Sequence, residues 1–280
     1  MNLEEHYEQL EALFDDAARN YDLTYGPPSG SRGGNPLATW LREQNLALLR
    51  SVMPEGGALL DIGCGTGEEA LTLAQEGYAV LGIDISNKMI WQAQAKAAGN
   101  EIRRGLLFHK LPAGKLATLD ERGPFQAASS SLGTLNTEPD LAGVAAGLHE
   151  LLEPGAPFVA MVMSRHCLFE IWHNIRRFKA GETMARGGEW EPGRAGASSV
   201  TAPVRFYQPA EFATHFEPHF TVEQVMACPL WLPPLNLQKL YNEQPERFTR
   251  LEQRDRAMRT WTGFRAWGDH FLMVLRHVSG

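Results

Sequence analysis

A glycine-rich turn followed by a distant aspartate is the part of this sequence most suited to ligand chemistry. Gly63, Gly65 and Gly67 lie in the stretch DIGCGTG, and Asp84 ends the next strand-like run. A strand, a glycine turn, a helix and a second strand ending in an acid form the mononucleotide-binding half of a Rossmann unit, in which the acid accepts hydrogen bonds from ribose. The sequence therefore predicts a site for a ligand that contains a nucleoside.

The spacing of the glycines narrows the choice of ligand. The pattern is G-x-G-x-G, whereas the dinucleotide fingerprint has its third glycine one position later, where this chain has Glu68. Glu68 and Glu69 place two carboxylates at the helix N-terminus where a pyrophosphate would bind, which disfavours NAD and FAD. The sequence also lacks the G-x-x-x-x-G-K-[ST] loop of nucleoside triphosphate sites. A ligand with a ribose, no phosphate and a cationic centre fits best, and S-adenosylmethionine has these properties.

The same residues carry a resemblance to a known family. The stretch DIGCGTG at 61–67, taken with Asp84, resembles motifs I and II of class I S-adenosylmethionine-dependent methyltransferases. The run from Asp140 to Gly155 resembles a later motif of that family, and FDDAARNYD resembles the N-terminal helix of its small-molecule branch. The resemblance covers about residues 10 to 165 and the last two strands. It implies S-adenosylmethionine as the cofactor and a seven-stranded sheet of order 3-2-1-4-5-7-6 with the last strand antiparallel.

Carried over residue by residue, the resemblance implies a cofactor site. The predicted cofactor-binding residues are Tyr21, Arg42, Gly63, Cys64, Gly65, Gly67, Asp84, Ile85, Met89, Leu111, Ser130, Ser131 and Leu132. Asp84 would hold the ribose, and Ile85 and Met89 would flank the adenine. Tyr21 would cover the cofactor and Arg42 would pair with its carboxylate, or both residues would only dock the N-terminal helices. Leu111-Pro112 replaces the acid that the family often has after its third strand, so we expect main-chain groups and packing to recognise the adenine.

The elements that position these residues follow from the pattern of apolar residues. From Leu59 to about Val162, strand-like runs alternate with helical stretches, which is typical of a parallel sheet covered by helices on both faces. The predicted strands lie at 58–62, 79–83, 105–109, 125–130 and 157–163, followed later by the strands FTVEQVMAC and HFLMVLRHV. The predicted fold is an α/β, Rossmann-like seven-stranded sheet with a cap formed by insertions.

The domain organisation follows from where the alternation fails. We expect helices over 1–50 to cover the cofactor site, a core formed by 51–163, 208–228 and 269–280, and two insertions, 164–207 and 229–268. Because both insertions leave the sheet at the edge where ligands bind, they are predicted to form a substrate cap. The predicted substrate-binding residues are Asn136, Trp172, His173, Trp190 and Tyr207. The alternative for the aromatic residues is a role in the core of the cap itself.

Composition and charge exclude several other classes of protein. A net charge of -7 over 280 residues disfavours nucleic acid and anionic membranes as partners. No apolar run reaches the roughly 18 residues of a membrane span. Three widely separated cysteines give neither a disulfide framework nor a zinc site, and no metal-binding motif is present, so we predict no metal. The acidic N-terminus does not have the layout of a signal peptide, which favours the cytoplasm. The sequence does not predict an oligomeric state.

Methyl transfer from a sulfonium makes modest demands on the protein. The methyl carbon is already electrophilic, so catalysis consists largely of aligning the acceptor and excluding water. A base is needed only for a protonated acceptor, and several histidines, including His166, His173 and His270, could supply one. The segment SSSLGTLN after the fourth strand differs from the motif of nucleobase N-methyltransferases. We therefore favour methyl transfer to a small molecule, with a non-catalytic S-adenosylmethionine-binding sensor or partner subunit as the alternative.

Overall fold

Seven strands form one mixed sheet in the computed structural model, which describes residues 2–28, 34–100, 105–121, 123–177, 186–243 and 245–278. They are β1 (Ala58–Ile62), β2 (Ala79–Asp84), β3 (Leu106–Lys110), β4 (Ala127–Ser130), β5 (Pro157–Met163), β8 (Phe220–Cys228) and β9 (His270–His277). The order is β3-β2-β1-β4-β5-β9-β8, and β9 runs antiparallel to both neighbours. This arrangement confirms the predicted order 3-2-1-4-5-7-6, in which β8 and β9 are the sixth and seventh strands.

The central strands are buried on both faces, as the near-continuous apolar sequence of β5 indicates. Successive side chains of a strand point to opposite faces of the sheet. Leu59 accordingly joins a core with Leu41 and Leu49 of one face, whereas Leu60 joins a core with Val144 and Leu148 of the other. The predicted strand at 125–130 begins at Ala127 instead, because Phe125 makes only an isolated bridge with Leu152.

Helices cover both faces of the sheet and its carboxyl edge. Their bounds are α1 (Leu3–Ala17), α2 (Tyr21–Tyr25), α3 (Pro36–Val52), α4 (Glu68–Gln75), α5 (Asn87–Gly99), α6 (Leu141–Leu151), α7 (Leu168–Arg176), α8 (Pro209–Thr214), α9 (Gln238–Glu243) and α10 (Pro245–Met258). Side-chain caps fix where some helices begin. Ser86 accepts a hydrogen bond from Met89 N (3.1 Å) at the start of α5, and Asn35 accepts from Leu37 N (3.0 Å) before Pro36 of α3. The first cap fixes the chain directly after Asp84.

The two predicted insertions pack in different places. The first contains α7 and a hairpin of β6 (Glu191–Gly193) and β7 (Ala202–Val204), while its residues 178–185 lie outside the described residues. Ala202 of the hairpin shares a core cluster with Leu10 and Leu13 of α1. The second insertion contains α9 and α10, and its Leu232 and Phe248 join the core cluster of α3. Within the described ranges, no helix has both the length and the apolarity needed to cross a membrane.

Candidate functional site

The loop between β1 and α4 is held on the end of β2 by its own backbone. Gly63 N and Cys64 N both donate to Ile83 O, at 2.8 and 2.9 Å. Gly63 has φ +71°, and a Cβ added there would lie 2.1 Å from the Thr134 methyl group, so only glycine fits. Gly65 has φ +54°, and the nearest atom to its would-be Cβ belongs to the Tyr21 ring at 3.7 Å. The loop therefore leaves an open backbone surface at Gly65.

Asp84 stands at the end of β2 with both carboxylate oxygens fixed. Its Oδ2 accepts a hydrogen bond from Gly65 N (3.0 Å) and its Oδ1 accepts one from Ser86 N (2.8 Å). Burial raises the pKa of Asp84 to about 6, although the two N–H groups oppose the shift. An ionised carboxylate has about four acceptor positions, so Asp84 retains two for a ligand with adjacent hydroxyl groups.

A pocket opens beside this loop, with an empty volume of about 530 Å³. Its walls, which define the first pocket, are Leu10, Phe14, Tyr21, Gly63, Gly65, Asp84, Ile85, Met89, Leu111, Pro112, Ala113, Thr134, Thr137 and Glu138. The geometry thus brings together seven of the residues predicted to bind the cofactor: Tyr21, Gly63, Gly65, Asp84, Ile85, Met89 and Leu111. An apolar slot beside a carboxylate and an open glycine backbone suits a nucleoside with its base in the slot.

Other walls of the first pocket escaped the sequence analysis. Leu10 and Phe14 come from α1, where i to i+4 apolar spacing was the available signal. Glu138 comes from the segment after β4 and is held by Tyr7 Oη (2.8 Å), Gly114 N (3.0 Å) and Asp140 N (2.8 Å). Burial raises the pKa of Glu138. Nothing in the local sequence marks this glutamate as a pocket wall, because Tyr7 and Gly114, which hold it, lie in distant segments.

Of the two roles predicted for Arg42, its contacts match the docking of the N-terminal helices. Its Nε lies 3.1 Å from Glu69 Oε2, and the two side chains are only 10% and 9% exposed. Its Nη1 donates to Tyr25 O, and Ser131 Oγ donates to the other oxygen of Glu69 (2.6 Å). Arg42 therefore joins α3, α2 and α4, which is the docking alternative for this residue, and it does not line the first pocket.

Glu68, in the first turn of α4, also has a cationic partner. Its carboxylate pairs with Lys96, whose Nζ lies 2.8 Å from Asp22 Oδ2 and 3.0 Å from Thr66 Oγ1. Both first-turn glutamates thus have a cationic partner, since Glu69 pairs with Arg42. They occupy the anion position at the start of α4, and because Lys96 is shared between Glu68 and Asp22, this group of charges remains acidic.

The remaining predicted cofactor residues lie beside the first pocket without lining it. A Cβ on Gly67 would meet Ala93 Cβ at 3.0 Å, so this glycine permits α4 to pack against α5. Cys64 is buried, and burial raises the pKa of its thiol well above the usual value. Ser130 is fully buried, and its Oγ has no hydrogen-bond partner among the described residues. Leu132, the one described non-glycine residue with a positive φ (+49°), lines a neighbouring pocket instead.

That neighbouring pocket is larger, with an empty volume of about 1070 Å³. Its walls, which define the second pocket, are Leu13, Phe14, Tyr21, Tyr25, Leu132, Gly133, Thr134, Thr137, Met163, Glu191, Pro192, Gly193, Arg194, Ala195, Ala202, Val204, Phe206, Leu235 and His270. Four residues, Phe14, Tyr21, Thr134 and Thr137, line both pockets. The two spaces are therefore adjacent and separated only by shared side chains.

The residues predicted to bind substrate lie outside the walls of the second pocket. Asn136 is fully buried and holds Met163 through both its amide and carbonyl groups, at 3.0 and 2.7 Å. Tyr207 is 2% exposed and packs against Phe212 behind the sheet.

The other three members of that predicted set face different surroundings. Trp172 lies on α7 and lines a separate surface cavity beside Arg250, while His173 stacks on Phe169. Trp190 packs edge-on against His6, with ring centroids 4.9 Å apart. The geometry gives no support to a substrate-binding role for any of the five. Sequence reasoning selected the aromatic residues of the first insertion but missed the hairpin residues 191–206.

No group of three or more metal-ligating side chains occurs in the parts of the chain that the structure describes. The three cysteines are free thiols, and all are buried.

Comparison with known proteins places this fold among methyltransferases. Residues 59–155 match the family model described as a methyltransferase domain. YqeM of Bacillus subtilis (strain 168), provisionally named as a methyltransferase, is 30% identical over 127 residues, which are 44% of this chain and 49% of YqeM. The demethylmenaquinone methyltransferase of Beutenbergia cavernae is 34% identical over 152 residues, 54% of this chain and 57% of that protein. The chain thus spans about half the length of the curated relatives it matches.

A solved structure extends the likeness to the whole chain. The 1,6-didemethyltoxoflavin-N1-methyltransferase of Burkholderia thailandensis, crystallised with 1,6-didemethyltoxoflavin and S-adenosylhomocysteine, superposes with a TM-score of 0.63 at 16% identity. The superposition covers 100% of this chain and 92% of the other. At this identity the comparison establishes the fold, including the elements outside the matched domain.

Proposed function

We propose that this chain, which contains a class I methyltransferase domain, transfers a methyl group from S-adenosylmethionine in the first pocket to a small organic acceptor in the second. The observation that carries the proposal is the wall of Phe14, Tyr21, Thr134 and Thr137 that the two pockets share. In-line displacement at a methyl carbon needs donor and acceptor on opposite sides of that carbon and within contact of each other. Two adjacent pockets at the carboxyl edge of the sheet meet this requirement.

Each part of the cofactor has a matching group to contact in the walls of the first pocket. Asp84 accepts hydrogen bonds from the ribose hydroxyls, and the adenine lies between Ile85, Met89 and Leu111. Glu138, held against Gly114 N, supplies a carboxylate near the loop after β3 that the sequence there lacks. The methionine end passes over Gly63 and Gly65 towards the shared wall.

The acceptor pocket is formed by parts of the chain outside the matched domain. Residues of helices α1 and α2 and of the hairpin β6–β7 line the second pocket, so we propose that these two helices and the hairpin cover the acceptor. The second insertion contributes Leu235 to the walls. Relatives named for methylating quinone precursors and a toxoflavin precursor support a small-molecule acceptor. Absence of nucleic-acid binding and a cytoplasmic location stay predictions from the sequence.

A non-catalytic sensor would need the first pocket but not a second, larger pocket beside it. The test has two stages. Calorimetry should give binding of S-adenosylhomocysteine and none of NAD, and methyl-labelled S-adenosylmethionine should then label at least one member of a panel of small aromatic hydroxyl, amine and thiol compounds. Binding of NAD in preference to S-adenosylhomocysteine would refute the cofactor assignment, and binding without any labelling would favour the sensor.

A larger side chain in a wall of the second pocket should impair acceptor turnover without changing cofactor affinity. A Leu235→Trp change adds volume to a wall of the second pocket, and a steric mismatch in a substrate pocket costs about 1–3 kcal/mol, so acceptor turnover should fall roughly tenfold or more. S-adenosylhomocysteine affinity should stay within about twofold, because Leu235 does not line the first pocket. Equal losses of both would place the acceptor elsewhere.

The affinity for S-adenosylhomocysteine should depend on pH through Asp84. Its pKa of about 6 in the free protein means that the carboxylate is ionised above pH 6 and protonated below it. Only the ionised form offers every oxygen lone pair to the ribose hydroxyls. We expect affinity to be constant above about pH 7 and to fall by up to about tenfold per pH unit below pH 6. Calorimetry between pH 5 and 8 checks this, and an Asp84→Asn variant, which cannot titrate, should give a flat profile.

A further inference from the structure

His270 is a buried histidine with a ring nitrogen, Nε2, that has no polar partner in the parts of the chain that the structure describes. It begins β9, lies opposite Met163 of β5 and lines the second pocket with that residue. Its side chain is only 2% exposed. Buried polar atoms in folded proteins are nearly always hydrogen-bonded. A buried polar atom that lines a pocket and has no partner in the protein indicates that a bound ligand supplies the hydrogen bond.

A carboxylate fixed beside the ring gives this histidine an electrostatic partner. Asp269 Oδ2 lies 3.0 Å from His270 Nδ1, so the carboxylate faces this nitrogen, and Nε2 has no polar partner among the described residues. Asp269 Oδ1 lies 2.5 Å from Arg186 Nη2, and Arg186 Nε lies 2.9 Å from Glu170 Oε2. Burial raises the pKa of Asp269, but the charge of the Arg186 guanidinium is the largest of the effects that lower it, and together they hold this pKa well below its usual range. Asp269 is thus ionised and stabilises a positive charge on the imidazole.

The other ionisable groups in the walls of the second pocket are less suited to remove a proton. Burial raises the pKa values of Tyr21 and Tyr25, so both phenols are neutral donors. Arg194 cannot release a proton, and the Cys228 thiol on the neighbouring strand β8 has a pKa raised well above its usual value by burial. Glu191 of the hairpin is the remaining candidate for the group that removes the proton.

We propose that His270 is the general base of the transfer and that the acceptor carries a protonated oxygen nucleophile, an inference that rests on the proposed function. The hydroxyl oxygen attacks the methyl carbon of the sulfonium, and the C–S bonding pair passes to sulfur, which leaves as a neutral thioether. The O–H proton passes to an imidazole nitrogen of His270, and the resulting imidazolium faces the Asp269 carboxylate. Atoms and charge balance without a metal or a second reactant.

The apolar walls around His270 define the rest of the acceptor. Leu132, Met163, Val204, Phe206 and Leu235 surround the space, which suits a flat hydrophobic ring with its hydroxyl directed at the histidine. A thiol acceptor of the same shape would not need the base, because its thiolate is already populated near neutral pH.

Because a hydroxyl acceptor needs the base and a thiol acceptor does not, comparing the two acceptors tests the role of His270. Wild type, His270→Gln, Glu191→Gln and a control, His219→Gln, are assayed with methyl-labelled S-adenosylmethionine and the matched acceptors para-cresol and para-thiocresol. His219 stacks on His149 at the opposite end of the sheet and lines neither pocket. His270→Gln should reduce transfer to para-cresol by about 10²- to 10⁴-fold, with less than about threefold loss for para-thiocresol and unchanged affinity for S-adenosylhomocysteine. The control should retain wild-type rates with both acceptors, whereas Glu191→Gln, which changes a wall of the second pocket, should alter the rates with the two acceptors by the same factor.

Equal losses for the two acceptors in His270→Gln, or a loss of para-cresol transfer alone in Glu191→Gln, would overturn the proposal. A second measurement does not depend on turnover. In protein labelled with ¹⁵N-histidine and saturated with S-adenosylhomocysteine, para-cresol should shift the ring resonances that His270→Gln removes. Unshifted resonances would overturn the role of His270, whereas failure of S-adenosylhomocysteine to bind at all would refute the proposed function instead.

Discussion

Replacing Arg42 with methionine is expected to destabilise the protein by about 3 to 5 kcal/mol. The guanidinium is buried between α2 and α4, and its loss leaves the Glu69 carboxylate uncompensated in a site where only Ser131 Oγ still bonds to it. Removing one partner of a buried ion pair costs far more than the net contribution of the pair, because the remaining charge keeps its full desolvation penalty. Chemical denaturation followed by circular dichroism measures the change.

Two variants identify the cause of this loss. Arg50→Met removes an arginine from the same helix, but its pair with Glu76 is exposed, so the cost should not exceed about 1 kcal/mol. Arg42→Met with Glu69→Gln removes both charges and keeps an acceptor for Ser131, so most of the lost stability should return. A single Arg42→Met variant of normal stability but weak affinity for S-adenosylhomocysteine would instead restore the original prediction that Arg42 binds the cofactor's carboxylate.

Replacing Asp84 with alanine should weaken S-adenosylhomocysteine binding by about 1.5 to 3 kcal/mol, roughly 10- to 150-fold. The ribose hydroxyls lose a charged acceptor, and Gly65 N loses the bond that fixes the loop beneath the ligand. Calorimetry at pH 8 measures the effect where the wild-type carboxylate is ionised.

The matched control for this variant is Asp120→Ala, which removes an exposed aspartate that lines neither pocket. Its affinity for S-adenosylhomocysteine should equal that of wild type. Asp84→Asn keeps the shape and one acceptor, so its affinity should fall between those of wild type and Asp84→Ala. Wild-type affinity in both Asp84 variants would show that the ribose lies elsewhere.

The sequence determined the sheet and the nucleoside end of the site because both depend on local pattern. Alternation of apolar and helical stretches predicted the parallel sheet covered by helices, and the family resemblance implied the strand order that the structure confirms. The G-x-G-x-G loop and Asp84 lie at the ends of adjacent strands β1 and β2, so their meeting follows from the fold class alone. The loop and Asp84 could be identified from the sequence because a tight turn requires glycines and ribose binding requires an acid at the end of the strand.

The tertiary structure alone decided which side chains meet across long separations in the chain. Tyr7 reaches Glu138 over 131 positions, and Arg186 reaches Asp269 over 83 positions. The hairpin of β6 and β7 and its place against α1 leave no periodic signal, since each strand has only three residues. Apolar periodicity shows which face of an element is buried but not which distant element covers it. The walls of the second pocket, and the isolation of His270 within them, therefore depended on packing that no local pattern encodes.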